Sequence, residues 1–167
     1  MLFEKKEYKE RLAKVKSVMQ KKGIDLLISQ DPANMNYLTG YDAWSFYYAQ
    51  CVLVHINEDE PICFLRTQDV GGAYIKTYLQ HKNIIKYHEK YIHTWPSHPY
   101  DYLVEIIKQK KWDKLNIALE MDSHYFTAFC YEKIKTGLPN AKIKDAERLV
   151  NWVRVVKSDS EIQLMKS

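Results

Sequence analysis

Apolar residues recur at helical spacing from the start of the chain. Tyr8, Leu12, Val15 and Met19 fall three to four apart with charged residues between them, which predicts an amphipathic helix. Gly23 is a natural residue just past its end. The pattern then switches. Ile24-Asp25-Leu26-Leu27-Ile28 reads as a buried strand. Asp31-Pro32 reads as a helix start, with Asp as N-cap and Pro at the first helical position, and Gly40 ends that helix.

Further along, residues 51–56 and 61–65 read as two strands of an antiparallel hairpin joined by the acidic turn Asn57-Glu58-Asp59-Glu60. A helix is expected over about 69–79 and a short strand over 84–87. Residues 88–99 hold two prolines and read as irregular, and Pro99 opens a helix with Leu103, Ile106 and Ile107 on its core face. Residues 115–119 form a strand. Asp122 or Ser123 caps a helix bearing Phe126, Phe129 and Ile134, which stops at Gly137-Leu138-Pro139. A short edge strand is expected over 141–144. Asp145 then caps a helix with Leu149, Trp152, Val153 and Val156 on one face. Strands alternating with helices, interrupted by one hairpin, predict an α/β fold: three layers, with a mixed five- or six-stranded sheet flanked by helices.

At 167 residues the chain is one domain by length. Its last ten residues begin something else. Ser158-Asp159-Ser160-Glu161 is a capping box followed by Ile162, Leu164 and Met165, so a new helix starts just before the sequence stops. Such a helix is marginal alone. The expected organisation is a domain over 1–157, with 158–167 the first turns of a further domain that carries the chemistry.

The formal net charge is +4, and much of the excess lies in Lys5, Lys6, Lys9, Arg11, Lys14 and Lys16, assigned to the solvated side of the first helix. No basic stripe with interleaved aromatics accompanies it, so a nucleic-acid partner is not expected. Cys51, Cys63 and Cys130 are odd in number and form no C-x-x-C, which argues against a zinc site or disulfide framework. Residues 1–22 are charged throughout and no long apolar run follows, so neither a leader nor a membrane partner is expected, and the setting is read as cytoplasmic.

Several chemistries are excluded by motif. Five glycines build neither G-x-G-x-x-G nor a P-loop, and no G-x-S-x-G elbow surrounds a serine. His88, His93 and His98 lack an H-E-x-x-H pattern. Asp25, Asp31, Asp42, Asp69, Glu120 and Asp122 invite a two-metal nuclease reading, but Asp31, Asp122 and Asp145 are accounted for as caps. The strongest candidate site is the aromatic loop, with Tyr41, Trp44, Phe46, Tyr47 and Tyr48 inside eight residues. So dense a run leaves some rings facing outward as a contact surface for a ligand or another chain.

These residues also carry a resemblance. The strand at 24–28 followed by Asn34-Met35-Asn36-Tyr37-Leu38-Thr39-Gly40-Tyr41 resembles the N-terminal domain of creatinase, prolidase and Xaa-Pro aminopeptidases. Asn116-Ile117-Ala118-Leu119-Glu120 is similar to that family's I-G-[IV]-E strand, with Ala118 for Gly. Val153-Arg154-Val155-Val156-Lys157-Ser158-Asp159-Ser160-Glu161-Ile162 is similar to its junction into the catalytic half. Asp31-Pro32-Ala33, Trp44-Ser45-Phe46 and Val150-Asn151-Trp152 look closest to the ectoine hydrolase branch.

The resemblance implies a ribonuclease-H-like, non-catalytic lobe of a C–N hydrolase. Its catalytic half would be a pita-bread domain holding two divalent metal ions in peptidase members. This lobe itself would hold no metal, cofactor or catalytic residue. It would help form a homodimer, pack on its own C-terminal domain, and lend the aromatic loop to the neighbouring subunit's pocket. The substrate-facing residues would be Asp42, Trp44, Phe46, Tyr48 and Arg66. In creatinase-like members an Arg for the substrate carboxylate follows the loop Phe by two residues. Tyr48 stands there, and a tyrosine cannot form that bidentate charged pair, which leaves Arg66 as the substitute cation. The alternative role is a protein-binding module of the same fold without an active catalytic partner.

Overall fold

The computed structural model describes residues 2–42 and 45–167. The expected amphipathic helix is α1, Lys5–Lys21, and Gly23 follows it at φ 61. β1 spans Leu26–Ser29. The Asp31 carboxylate caps α2, Pro32–Thr39, by accepting from the N–H groups of Ala33 and Asn34, and Gly40 ends it in the left-handed region. β2, Cys51–His55, and β3, Ile62–Arg66, form the antiparallel hairpin. α3, Val70–Lys76, is shorter than expected: it starts within the Val-Gly-Gly stretch and stops at Thr77.

β4, Ile84–Tyr87, keeps its expected bounds, and α4 runs from Pro99 to Gln109. β5 is Asn116–Leu119. α5, Ala128–Gly137, begins later than expected, because the Thr127 hydroxyl is its cap, not Asp122 or Ser123. Phe126 therefore precedes the helix, though it is buried against α4. β6 is Lys142–Asp145, α6 is Leu149–Val155, and α7 is Asp159–Lys166. Asp145 is the last residue of its strand and caps no helix; its carboxylate accepts from Glu147 N–H at 3.1 Å. Glu147 and Arg148 then take positive φ to turn the chain into α6.

The six strands lie in the order β4-β3-β2-β1-β5-β6. β2 is antiparallel to both neighbours, and every other pairing is parallel, so β2 alone runs against the rest. Alternation along β1 divides the core. Leu27 faces a layer of α1, α2, α3 and α6; Leu26 and Ile28 face α4 and α5. This is the three-layer arrangement expected, with a ribonuclease-H-like run of an antiparallel meander continued past β1 by parallel strands. Cys51, Cys63 and Cys130 are buried free thiols, and burial pushes Cys63 up to about 12.

Arg11 is a correction. It is not on the solvated side of α1 but 3% exposed. Its guanidinium lies 4.2 Å from the Phe3 ring centroid and 4.7 Å from that of Tyr37. It pairs with Glu7 at 3.0 Å and with Glu161 at 3.2 Å. Glu161 belongs to the capping box that opens α7, and the Ser158 hydroxyl of that box donates to Glu7 at 2.8 Å. A buried arginine thus ties α7 to α1.

The expected inner face of α6 is also only partly right. Leu149 and Val150 are buried, but Trp152 is 70% exposed and Val156 lies open beside it.

Candidate functional site

All five parallel strands end on the same edge of the sheet, and β2 begins there because it runs the other way. Ligands of open α/β sheets sit beyond the carboxyl ends of the strands. Three segments meet at this edge around a cleft of ≈ 550 Å³. The aromatic loop contributes Phe46, Tyr47 and Tyr48 on a short 3-10 turn, Ser45–Tyr47. The stretch after β4 contributes His93, Trp95 and His98. The stretch after β5 and the start of α5 contribute His124, Tyr125, Phe129 and Cys130.

Rings line the walls. Phe46 meets Tyr125 edge-on at 5.4 Å, and Trp95 stacks on Phe129 at 5.1 Å while remaining 81% exposed. Tyr47 is open to solvent at the rim. No Asp, Glu, Lys or Arg lines the cleft among the described residues. Such a surface suits a small ligand with an apolar or delocalised body, held by a few placed polar groups.

Two contacts fix the loop. The Ser45 hydroxyl donates to the Asp69 carboxylate at 2.6 Å, just before α3. The Arg66 guanidinium lies 4.1 Å from the Tyr48 ring centroid and makes a two-pronged pair with Glu89, its shortest contact 2.7 Å. Hydrogen bonds with Arg66 hold the Glu89 carboxyl below its ordinary range. Arg66 therefore joins the aromatic loop to the segment after β4.

Of the residues expected to face substrate, Phe46 and Tyr48 line the cleft. Arg66 stands behind Tyr48 and does not line it. Asp42 is outside the cleft and pairs with Lys76 at 2.7 Å. Trp44 lies outside the described residues. Tyr41, the first ring of the aromatic run, is buried in the core. The wall built by His124, Tyr125 and Phe129 is not expected from the sequence, whose pattern predicts a helix from Asp122 or Ser123; the helix starts only at Ala128, and His124 and Tyr125 precede it.

The carboxylates of the nuclease reading are all engaged elsewhere. Asp25 accepts from Asn116, Asp69 from Ser45, and Asp122 pairs with Arg148 rather than capping a helix. Glu120 is buried at the end of β5 and accepts four hydrogen bonds, from Ser29, Gln30 N–H, Asp31 N–H and Asn34, at 2.7–2.9 Å. Asn34 in turn accepts from Arg154 at 2.7 Å. This relay is structural: it links β5, α2 and α6. No group of three or more His, Cys, Asp or Glu suited to a metal occurs among the described residues.

Residues 11–156 match the creatinase/prolidase N-terminal domain family. The chain belongs to that family. It is 42% identical to ectoine hydrolase of Halomonas elongata over 98% of this chain and 41% of that protein. It is 40% identical to an uncharacterized hydrolase/peptidase of Sinorhizobium fredii, over 98% of this chain and 42% of the relative. The chain thus spans less than half the length of these relatives. Among solved structures, a Xaa-Pro dipeptidase from Bacillus anthracis superposes with TM-score 0.70 at 18% identity, over 95% of this chain and 39% of that one. The N-terminal domain of a cytoplasmic peptidase from Mycobacterium tuberculosis superposes with TM-score 0.64 at 17% identity, over 87% of this chain and 99% of that one. These two likenesses show the fold. No helix among the described residues is long and apolar enough to cross a membrane.

Proposed function

We propose that this domain is the non-catalytic lobe of a cytoplasmic C–N hydrolase of the ectoine-hydrolase or Xaa-Pro-peptidase kind. In that protein it serves two ends: it builds part of the dimer, and its aromatic cleft completes the substrate pocket of the neighbouring subunit. The observation that supports this reading is the ring-lined cleft at the carboxyl edge, with Phe46 and Tyr48 in its wall. The metal ions of peptidase-type relatives would reside in the downstream domain, begun by residues 158–167.

Arg66 acts here by bracing Tyr48, and its charge is shared with Glu89. Creatine is accordingly a poor candidate substrate. The exposed apolar strip of Trp152, Val155 and Val156 beside α7 fits a covering by the downstream domain.

The experiment is a comparison of the full-length parent with its Phe46→Ala and Tyr48→Ala variants. The expected result is a raised KM for ectoine or Xaa-Pro dipeptides with the dimer intact. Unchanged kinetics in both variants would overturn the pocket role. Retention of activity by a parent lacking residues 1–157 would overturn the lobe's contribution altogether.

A further inference from the structure

His98 lies on the floor of the aromatic cleft, and its tautomer is set by the backbone. The Tyr100 N–H donates to His98 Nδ1 at 3.1 Å, and the Asp101 carboxylate accepts from the His98 backbone N–H at 2.8 Å, so the residue caps α4. A ring nitrogen that accepts from a backbone N–H carries no proton. The proton of the neutral ring is therefore on Nε2. Burial lowers the imidazole below its ordinary value, ahead of the opposing effect of Asp101, so the ring is neutral at pH 7.

Nε2 faces Cys130 Sγ at 3.8 Å, a long contact that a ligand oxygen could replace, and both residues line the cleft. That distance and an N–H on the histidine leave no base for the thiol, and burial pushes the thiol up. The pair is not an activated nucleophile. Phe129 stands edge-on to the imidazole at 5.2 Å and fixes its plane. The amino end of α5 closes the same floor through Thr127 and Cys130, and its dipole favours negative charge.

We propose that His98 is a ligand-contact residue: its Nε2–H donates to a carboxylate oxygen of a small molecule whose flat or delocalised body lies between the rings of the cleft. The inference rests on the reading of this cleft as a substrate surface and names the residue that would meet the substrate's carboxylate. The floor offers a donor, so an acceptor seats there. The walls offer ring faces, which suit a delocalised cation as well as an apolar body. A small carboxylate joined to a cyclic amidine or imide fits both.

The test uses the full-length parent, ¹⁵N-labelled at its histidines and freed of metal by chelation to stop turnover, with two probes: ectoine, a cyclic amidine bearing a carboxylate, and the parent tetrahydropyrimidine without it. Long-range ¹H–¹⁵N spectra read the tautomer, and titration reads affinity. His98→Asn keeps a side-chain oxygen for the helix cap but is too short to reach the floor. The expected results are a protonated Nε2 and ectoine binding weakened roughly tenfold or more in H98N, with Tm unchanged. Tetrahydropyrimidine should bind both proteins alike. A protonated Nδ1, or equal ectoine affinity in H98N, overturns the donor role while leaving the cleft reading intact. Failure of the unaltered parent to bind either probe overturns the cleft reading, and the donor role with it.

Discussion

Arg11 and Glu161 form an ion pair at 3.2 Å across 150 residues of chain, and both are largely screened from solvent. Glu161 also accepts from the Ser158 N–H at 2.9 Å, so the first turn of α7 is anchored to α1. The position of α7 against the domain is set by a charge buried in the first helix.

Removing that charge leaves Glu7 and Glu161 facing each other without a cation. Arg11→Ala is expected to destabilise the domain by about 3 kcal/mol, the range for breaking one side of a buried pair. Arg11→Met keeps volume on Phe3 and Tyr37 but not the charge, and Arg11→Lys loses the planar fork. Urea unfolding monitored by circular dichroism reads all three. Equal stability of R11A and the unaltered chain would show the pair to be idle.

Acid should loosen the same region. Burial raises the Glu7 carboxyl, but hydrogen bonds from Ser158 and Arg11 and the Arg11 charge outweigh it and leave it lowered. Glu60 is likewise lowered on balance: burial opposes, while Gln80 N–H, Lys5 and Asn83 all donate to it. A carboxyl with a lowered folded value stabilises above its unfolded value, about 4.3 for Glu, and that gain is lost as pH falls through the folded value. Urea midpoints should therefore drop below roughly pH 4, and Glu7→Gln should flatten the drop.

Glu120 has the opposite sign. Burial raises its carboxyl despite the donors from Asp31, Ser29, Asn34 and Gln30. Its folded form holds a proton more readily than the unfolded chain, so its share of stability is fullest below the unfolded value and declines as pH rises through the folded one. Glu120→Gln nonetheless destabilises at pH 7. A glutamine can turn its oxygen to the backbone N–H groups of Gln30 and Asp31, but its NH₂ then meets the Asn34 NH₂, donor against donor. A loss of about 2 kcal/mol is expected from thermal or urea unfolding.

Gly40 ends α2 at φ 85, and a Cβ there would come within 2.9 Å of the Lys76 carbonyl and 3.0 Å of the Tyr8 hydroxyl. Gly40→Ala combines a left-handed backbone with a clash against another main chain. A loss of about 2 kcal/mol is expected from the two together. Gly23→Ala, where a Cβ meets nothing, should cost less. Thermal denaturation of the two variants distinguishes clash from backbone strain.

The bracing of Tyr48 has a dynamic signature. Arg66→Ala removes the two-pronged pair with Glu89 and the contact with the ring. Amide exchange should quicken in residues 47–49 and 88–92 and stay unchanged in β1. Uniform exchange across the sheet would mean that Arg66 supports the fold generally rather than the cleft.

Local chemistry made much of this fold legible. Asp31-Pro32, Gly40 and the Ser158 box each mark a helix end through bonds made within a few residues, and all three stand where expected. Arg11 was assigned to solvent because its neighbours are lysines; only the distant rings of Phe3 and Tyr37 and the carboxylate of Glu161 give it an interior place. Thr127 displaced Asp122 and Ser123 as a cap because Asp122 has a partner in Arg148, remote in sequence. The cleft was half legible. Crowding of rings announced the loop holding Phe46 and Tyr48, while Trp95, Tyr125 and Phe129 join it only through the parallel crossovers that bring their segments to one edge.

The lone reversed strand separates two kinds of change. Residues leading into β2 open on the mouth of the cleft, whereas the ladder beneath is secured by β1 and β3 on either side. Lengthening or recolouring that approach alters what the mouth admits and leaves the pairing below untouched.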